Sequence, residues 1–137
     1  SISDDLSVFP IKHKHVIILL DEISDMLKNL IPNRKDIHAD IDEHIDSKFI
    51  EQMIVNNSFG YKELKNLIVY TIELIQKLQS PSEDKDTHEL LEKLLNIYDK
   101  KEPWNKIILL FLKKTYEKIE RIQKSVEYFK DMIAKKS

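Results

Sequence analysis

Apolar residues recur along this chain at alternating spacings of three and four, which is the period of one face of an α-helix. The first such stripe predicts a helix over residues 11–31, ended by Pro32, because a proline disfavours helical geometry in the residue before it. Residues 1–10 carry little of this pattern and are expected to form an extended lead. The stripe itself consists of Val16, Leu20, Ile23, Leu27 and Leu30.

Two shorter helices are predicted next, each with one apolar face. Residues 33–45 place isoleucines four apart, and the side chain of Asn33 or Asp36 can cap the first turn. Asp46 then offers a new cap for a third helix, which stops in the polar segment that ends at Gly60. Gly60 is expected to terminate this helix, because glycine accepts the left-handed backbone found at helix C-termini.

The strongest apolar signal lies in residues 61–79, where hydrophobic side chains occupy nearly the whole circumference of a helix. Such a helix is expected at the centre of a bundle. Residues 80–86 contain proline, serines and acids, and are predicted to form the main loop. Thr87 is then expected to cap a fifth helix that ends near Asp99.

A last, long helix is predicted over residues 103–135, since Pro103 suits the first helical turn and nothing interrupts the pattern after it. It would be about 48 Å long, more than the roughly 30 to 35 Å width of a small domain. Its apolar positions follow a heptad-like spacing that we term the seam. The seam comprises Ile108, Leu112, Thr115, Ile119, Ile122, Val126, Phe129 and Ile133.

The seam can be covered in two ways. In the arrangement that we favour, the first helix packs on it in antiparallel orientation, and acids of the first helix face bases of the last. These charges are Asp21, Glu22 and Asp25 on one helix and Lys118, Arg121 and Lys124 on the other. In the alternative, the distal half projects and binds a protein partner, either a foreign helix or a second copy in a homodimer. The interface would then consist of Ile119, Ile122, Val126, Phe129 and Ile133.

Composition supports a helical bundle over any β or mixed fold. One glycine and four prolines in 137 residues leave few positions for the tight turns of sheets, nucleotide-binding folds and phosphate loops. The sequence therefore predicts an all-α fold, with five to six helices forming a single domain over residues 1–137.

Cysteine is absent, which excludes disulfide frameworks and thiol nucleophiles, and the longest apolar runs are too short to cross a bilayer. We therefore expect an intracellular, cytoplasmic protein with no membrane association. Twenty isoleucines against two alanines, and twenty lysines against two arginines, are typical of an AT-rich coding genome. A large DNA virus is one such source, and the protein would then be expected in host cytoplasm or the virion.

Candidate chemistry is sparse. The chain has no cysteine and no glycine-flanked serine of the nucleophile-elbow type, so we predict no catalytic residues, no enzymatic activity and no cofactor. The second helix and the cap that follows it carry groups that a divalent metal accepts, but no second ligand pair accompanies them, so ion pairs and no metal site are predicted. These groups are His38, Asp40, Asp42, Glu43, His44 and Asp46, with His38 and Asp42 four apart. His13 and His15 are expected at the surface of the first helix.

The last helix is basic: residues 100–137 carry a net charge of +6, against -8 for residues 1–99. Phosphate binding needs a basic stripe, so this helix makes nucleic-acid binding an alternative function. However, Glu117, Glu120 and Glu127 interrupt the stripe, and arginine, the usual reader of base edges, is nearly absent. These features disfavour nucleic acid as a partner.

Residues 45–84 resemble the N-terminal part of the T-complex protein 11 family, a group of helical eukaryotic proteins. The resemblance begins with Ile45-Asp46 at the end of one helix and Phe49-Ile50-Glu51-Gln52 at the start of the next. It continues through a helix that contains Leu64, Leu67 and Ile68. That helix is followed by Pro81, with Asp84 three residues further on. Gln79-Ser80 and Ser82-Glu83 depart from the residues that the family usually places around this proline. The family is associated with modulation of cyclic-AMP and protein kinase A signalling and has no established catalytic residues. The resemblance therefore implies a non-enzymatic protein-interaction or regulatory module.

Overall fold

The computed structural model describes residues 9–136, with side chains described over residues 13–135. These residues form six α-helices and one short 3-10 turn, and contain no strand. The helices are α1 (Phe9–Leu30), α2 (Lys35–His44), α3 (Ser47–Val55), α4 (Tyr61–Leu78), α5 (Asp84–Asp99) and α6 (Trp104–Lys136), and the 3-10 turn is Pro81–Glu83. Buried side chains from all six helices join in one hydrophobic core. The predicted all-α fold is confirmed.

The first part of α6 is the element around which the long helices pack, since it lies against α1, α4 and α5. α1 and α6 run parallel, because His15 shares a groove with Leu112, whereas Leu30 shares one with Val126 further along both helices. The antiparallel packing expected of these two helices is therefore wrong.

Alternating helix direction explains this parallel arrangement. α3 runs opposite to α1, since Ser47 at its start contacts Asp21 while Glu51 lies beside His13. α5 runs opposite to α6, because its end at Asp99 adjoins the start of α6, while Asp86 in its first turn contacts Lys118 midway along α6. Short connections reverse the chain after α3, after α4 and after α5. α1, α4 and α6 therefore share one direction.

α4 is deeply buried, as predicted, but along one broad face and not all round. Its buried residues are Leu64, Leu67, Ile68, Thr71, Ile72, Leu74 and Ile75. The opposite side carries exposed Lys62, Lys65 and Glu73. α4 therefore shares the central position with the first part of α6.

α1 begins earlier than the sequence suggested. Phe9 and Pro10 belong to its first turn, so the expected extended lead over residues 1–10 is wrong for these two positions. Proline is compatible with this place because the first turn of a helix needs no backbone N–H from it. Residues 1–8 lie outside the described part of the chain.

The cap of α3 is confirmed and that of α2 is wrong. Asp46 Oδ1 accepts a hydrogen bond of 3.0 Å from the backbone N–H of Phe49. At α2 the N-cap position is Arg34, which makes no side-chain cap. Its guanidinium instead donates to the Asp36 carboxylate at 2.9 and 3.1 Å, and this lowers the pKa of Asp36 to about 2.

The turn after α3 uses an asparagine where a glycine was expected. Asn57 adopts the left-handed backbone with φ 57°, and Ser58 N–H donates to the Met53 carbonyl at 2.7 Å. Asparagine tolerates this conformation better than most residues. Gly60 has an extended backbone and forms the N-cap of α4, so its expected role at the end of α3 is wrong.

The predicted main loop over residues 80–86 is shorter than expected. The 3-10 turn and the first residues of α5 occupy most of it, and α5 begins at Asp84. Thr87 therefore lies inside α5, buried, with its hydroxyl donating to Gln79 Oε1 at 2.7 Å. The expectation that Thr87 caps α5 is wrong, because the side chain links α5 to the end of α4 instead.

Candidate interaction surface on the last helix

The seam of α6 is covered along its first half and exposed along its second. Ile119 and Ile122 are 0% and 8% exposed, whereas Val126, Phe129 and Ile133 are 40%, 67% and 63% exposed. Every residue over positions 124–135 is exposed. We term residues 123–136 the distal segment. The expectation that the whole seam is covered within one chain is therefore wrong for its last three positions, and Ile119 and Ile122 belong to the core.

The difference in exposure follows from helix length. At about 1.5 Å per residue, α6 with 33 residues is about 50 Å long, α1 with 22 about 33 Å and α4 with 18 about 27 Å. α1 ends at Leu30 beside Val126, and α4 ends at Leu78 beside Ile122. The distal segment thus continues past the ends of both helices that cover the seam.

Two open grooves flank the distal segment where its cover ends. One, of about 540 Å³, lies against the end of α1 and includes Leu30, Pro32 and Val126. The other, of about 200 Å³, lies against the end of α4 and includes Leu78 and Phe129. Together with the exposed seam they form a surface on which a further helix could pack.

The positions on either side of the exposed seam carry little charge. By heptad spacing these positions are Gln123, Ser125, Lys130 and Met132, of which one is ionisable. The remaining charged residues of the distal segment point elsewhere around the helix; they include Lys124, Glu127, Asp131 and Lys135. The exposed seam is therefore an apolar strip with nearly neutral edges.

A buried lysine joins α6 to the start of α5. Lys118 is 4% exposed, and its ammonium donates to Asp86 Oδ2 at 2.9 Å and to Glu83 Oε2 at 3.3 Å. Arg121 lies 3.5 and 3.8 Å from the same carboxylates. The hydrogen bond from Lys118 is the main reason why the pKa of Asp86 is lowered.

This network corrects the expected ion pairs between the first and last helices. Lys118 and Arg121 bind acids that precede or begin α5, whereas Asp21 accepts a hydrogen bond of 2.5 Å from the Ser47 hydroxyl. Sequence reasoning treated Lys118 as a base facing acids of the first helix and missed its burial. The sequence feature that could have indicated its burial is its position directly before Ile119, at the edge of the seam.

Several other basic side chains of α6 also contact acids. Lys106 lies 3.6 Å from Glu102, and Lys114 lies 3.9 Å from Glu117. Together with the Lys118 network, these contacts place carboxylates beside a large part of the positive charge on the first half of the helix.

The i,i+4 ion pair expected on the second helix forms between Asp40 and His44, at 3.5 Å, and not between His38 and Asp42. His38 Nε2 faces the carbonyl oxygens of Ile31 at 2.8 Å and Lys28 at 3.1 Å, so it donates to the end of α1. Asp42 instead pairs with the Lys28 ammonium. Both side chains therefore hold α2 against the C-terminus of α1, where unsatisfied carbonyls favour a donor or a cation.

The groups weighed as metal ligands come together only in part. Asp40, Glu43 and His44 place ligand atoms within 4.8 Å of one another, and all three are exposed. The His44 ring stacks on Tyr70 at 4.1 Å, and the Tyr70 hydroxyl donates to Asp40 Oδ2 at 2.7 Å. Burial and this hydrogen bond raise the pKa of Tyr70 above its usual range. These contacts account for the cluster as a link between α2 and α4, and the absence of a metal site stays a prediction.

The two histidines of α1 differ in burial. His15 is exposed, as predicted, but His13 is buried with its Nε2 3.3 Å from Glu51 Oε2. The surface position expected for His13 is therefore wrong. α3 packs against this part of α1 and covers the side chain.

The chain also matches a known protein family. A family model described as T-complex protein 11 matches residues 1–133, far more of the chain than the resemblance over residues 45–84. No curated protein and no solved structure matches the chain significantly. Among the described helices, none is both long and apolar enough to cross a membrane.

Proposed function

Because the chain belongs to the T-complex protein 11 family, we propose that it is a non-enzymatic interaction module that binds protein through the distal segment of α6. The observation that carries the proposal is the exposure of Val126, Phe129 and Ile133 on one continuous helix face. Single exposed apolar residues are ordinary, but a contiguous apolar strip marks a binding surface. A regulatory role in signalling is the extension that the family resemblance suggests.

The arrangement of buried ionisable groups supports a role without catalysis. Among the described residues, the buried ionisable side chains are His13 and Lys118, and each faces carboxylates. General acid–base catalysis needs a titratable group held in a substrate-sized cleft with a reacting partner in reach. Both side chains instead join neighbouring helices, which is a structural task.

Nucleic-acid binding by α6 is the alternative from another class. It would rest on the basic residues of the helix, of which Lys118 is buried and Lys106, Lys114 and Arg121 lie within 4.0 Å of acids. Metal binding at Asp40, Glu43 and His44 is a further alternative. No observation supports either function as directly as the exposed seam supports protein binding. The experiment below distinguishes both functions from protein binding.

The proposal is tested by affinity capture with mass spectrometry, comparing the wild-type chain with a Val126→Asp, Phe129→Asp variant. Both residues are exposed, so the variant should fold, and circular dichroism checks that it does. The control is Tyr128→Asp, which places one such charge at an exposed aromatic on the other side of the helix. We expect protein partners that survive nuclease and chelator, disappear with the double variant and remain with the control. Partners unaffected by the double variant, or lost only on nuclease or chelator treatment, would contradict the proposal.

A further inference from the structure

We infer that the exposed seam is occupied by a second copy of this chain, with the two distal segments packed antiparallel about a two-fold axis. This inference rests on the proposed function, because it names the partner of the same surface.

The surrounding helices select the antiparallel direction. α1 and α4 cover the seam up to Ile122 and end beside the distal segment. A second copy packed in parallel would bring its own α1 and α4 to the same end, where the two bundles would collide. In the antiparallel arrangement, the second bundle lies beyond the far end of the distal segment. The tip of each helix then points at the grooves of the other copy, which include Leu30 and Leu78.

The spacing of the seam sets the register. The distal segment of 14 residues spans about 20 Å, and pairing the apolar positions of two antiparallel seams brings Ile133 level with Ile122 of the second copy, at the groove beside the end of α4. Val126 then lies opposite Phe129 of the second copy, and the reverse contact follows from symmetry. The same residues thus supply both sides of the contact, so the surface is self-complementary.

The edges of the seam also fit a second copy. Coiled-coil helices that select a foreign partner carry complementary charges beside the seam. Here the edge positions are Gln123, Ser125, Lys130 and Met132. In the antiparallel register Lys130 lies near Gln123 of the second copy along one side of the contact, and Ser125 lies near Met132 along the other, so no like charges lie level with each other across the contact.

The exposed area predicts a weak dimer. Phe129 is 67% exposed and exposes about 100–170 Å², given 150–250 Å² for a fully buried aromatic side chain. With Val126, Ile133 and Met132 the apolar area is about 200–350 Å² per copy. Apolar atoms contribute only part of the surface that an interface buries, so the two copies together would bury about 700–1,100 Å². This total buried area is at the low end for specific complexes. We therefore expect dissociation constants of about 10–500 µM.

Sedimentation of the full chain from about 5 to 500 µM tests the oligomeric state. We expect the mass to rise with concentration towards the dimer, with at least about tenfold weaker association in Phe129→Asp, because a buried charge without a partner opposes association. Tyr128→Asp should associate like the wild type. A wild type that stays monomeric throughout would overturn the inference. If the Val126→Asp, Phe129→Asp variant still lost its captured partners in that case, the proposed function would stand with a foreign protein in this place.

Cross-linking tests the direction, and the natural absence of cysteine makes single-cysteine variants unambiguous. A mixture of Val126→Cys and Phe129→Cys chains should oxidise to a mixed disulfide, since these positions lie opposite each other. Ile133→Cys alone should not cross-link, because the two copies of position 133 are about 16 Å apart along the axis, beyond the reach of a disulfide. Efficient cross-linking of Ile133→Cys without the mixed disulfide would indicate a parallel pair and overturn the antiparallel arrangement.

Discussion

The two halves of α6 carry the same heptad-like seam but lie in different surroundings. From Ile108 to Ile122 the seam is buried under α1 and α4, with side chains at most 8% exposed. From Val126 to Ile133 the same spacing continues in solvent. The periodicity of a helix therefore shows which face is suited to packing, while the length of the neighbouring helices decides whether that face is covered by the same chain.

The two halves of the seam also differ in the polar residues beside them. The covered half contains the buried Lys118, bound to Glu83 and Asp86, and the buried hydroxyl of Thr115. The exposed half has neutral residues beside its seam and its charges elsewhere around the helix. Substitutions should consequently affect folding in the first half and association in the second.

The largest expected difference between the halves is in amide hydrogen exchange. Amides of residues 107–122 should exchange only through global unfolding, whereas those of residues 124–135 should exchange through local fraying. The exchange rates of the two groups should therefore differ by several orders of magnitude. Exchange measured by mass spectrometry at low protein concentration tests this. Protection of the distal segment that rises with concentration would indicate the dimer, and equal protection of both halves in a dilute monomer would contradict the structure.

A matched pair of isoleucine substitutions gives the next largest effect. Ile119→Ala removes a side chain that is 0% exposed and should lower the free energy of unfolding by about 2–5 kcal/mol. Ile133→Ala makes the same change at a side chain that is 63% exposed and should change it by less than about 0.5 kcal/mol.

Urea unfolding at low protein concentration measures both isoleucine variants while keeping any dimer dissociated. Equal losses in the two variants would show that the distal segment is packed within one chain.

Much of the fold was predictable because helix periodicity is local. The stripes of α1, α4 and α6 fixed the existence and approximate bounds of these helices, and Asp46 was recognisable as the cap of α3. Positions that depend on neighbours in space were not predictable in the same way. Thr87 looks like a cap in sequence, but Gln79 at the end of α4 binds its hydroxyl inside α5. Asn57 took the turn expected of Gly60, since both residues suit a left-handed backbone.

The residues of the candidate surface could be predicted from the sequence, but their exposure could not. Heptad spacing identified Val126, Phe129 and Ile133, yet whether they are covered depends on where α1 and α4 end relative to α6. The direction of α1 was equally out of reach of local patterns, because it depends on how many times the chain reverses between the two helices. Lys118 was misread for the same reason, since its burial comes from the start of α5.

Two lysines on α6 extend the comparison to charge. Lys118→Ala removes a buried side chain and its hydrogen bonds to Glu83 and Asp86, and should cost about 1–3 kcal/mol in the free energy of unfolding. Lys124→Ala, at an exposed position of the distal segment, should change it by less than about 0.5 kcal/mol.

A second readout separates the ion pair from packing at Lys118. The pKa of Asp86 should rise towards its ordinary value in Lys118→Ala, since Lys118 is the main cause of its lowering, and should stay unchanged in Lys124→Ala. Carboxyl titration by NMR measures this. An unchanged pKa in both variants would mean that the network does not form in solution.

The smallest expected effect concerns the one polar position of the seam. Thr115 is 0% exposed, and its Oγ1 is buried without a hydrogen-bond partner among the described residues. Thr115→Val replaces this hydroxyl with a methyl group of similar size, so it should raise the free energy of unfolding by about 1 kcal/mol and Tm by about 2–5 °C. Thr71→Val is the matched control, because the Thr71 hydroxyl is also buried but donates to the Leu67 carbonyl at 2.8 Å. That variant should gain nothing, since it loses a hydrogen bond. A loss of stability in Thr115→Val would show that its hydroxyl has a polar contact in solution, and that the covered half of the seam is less dry than its burial indicates.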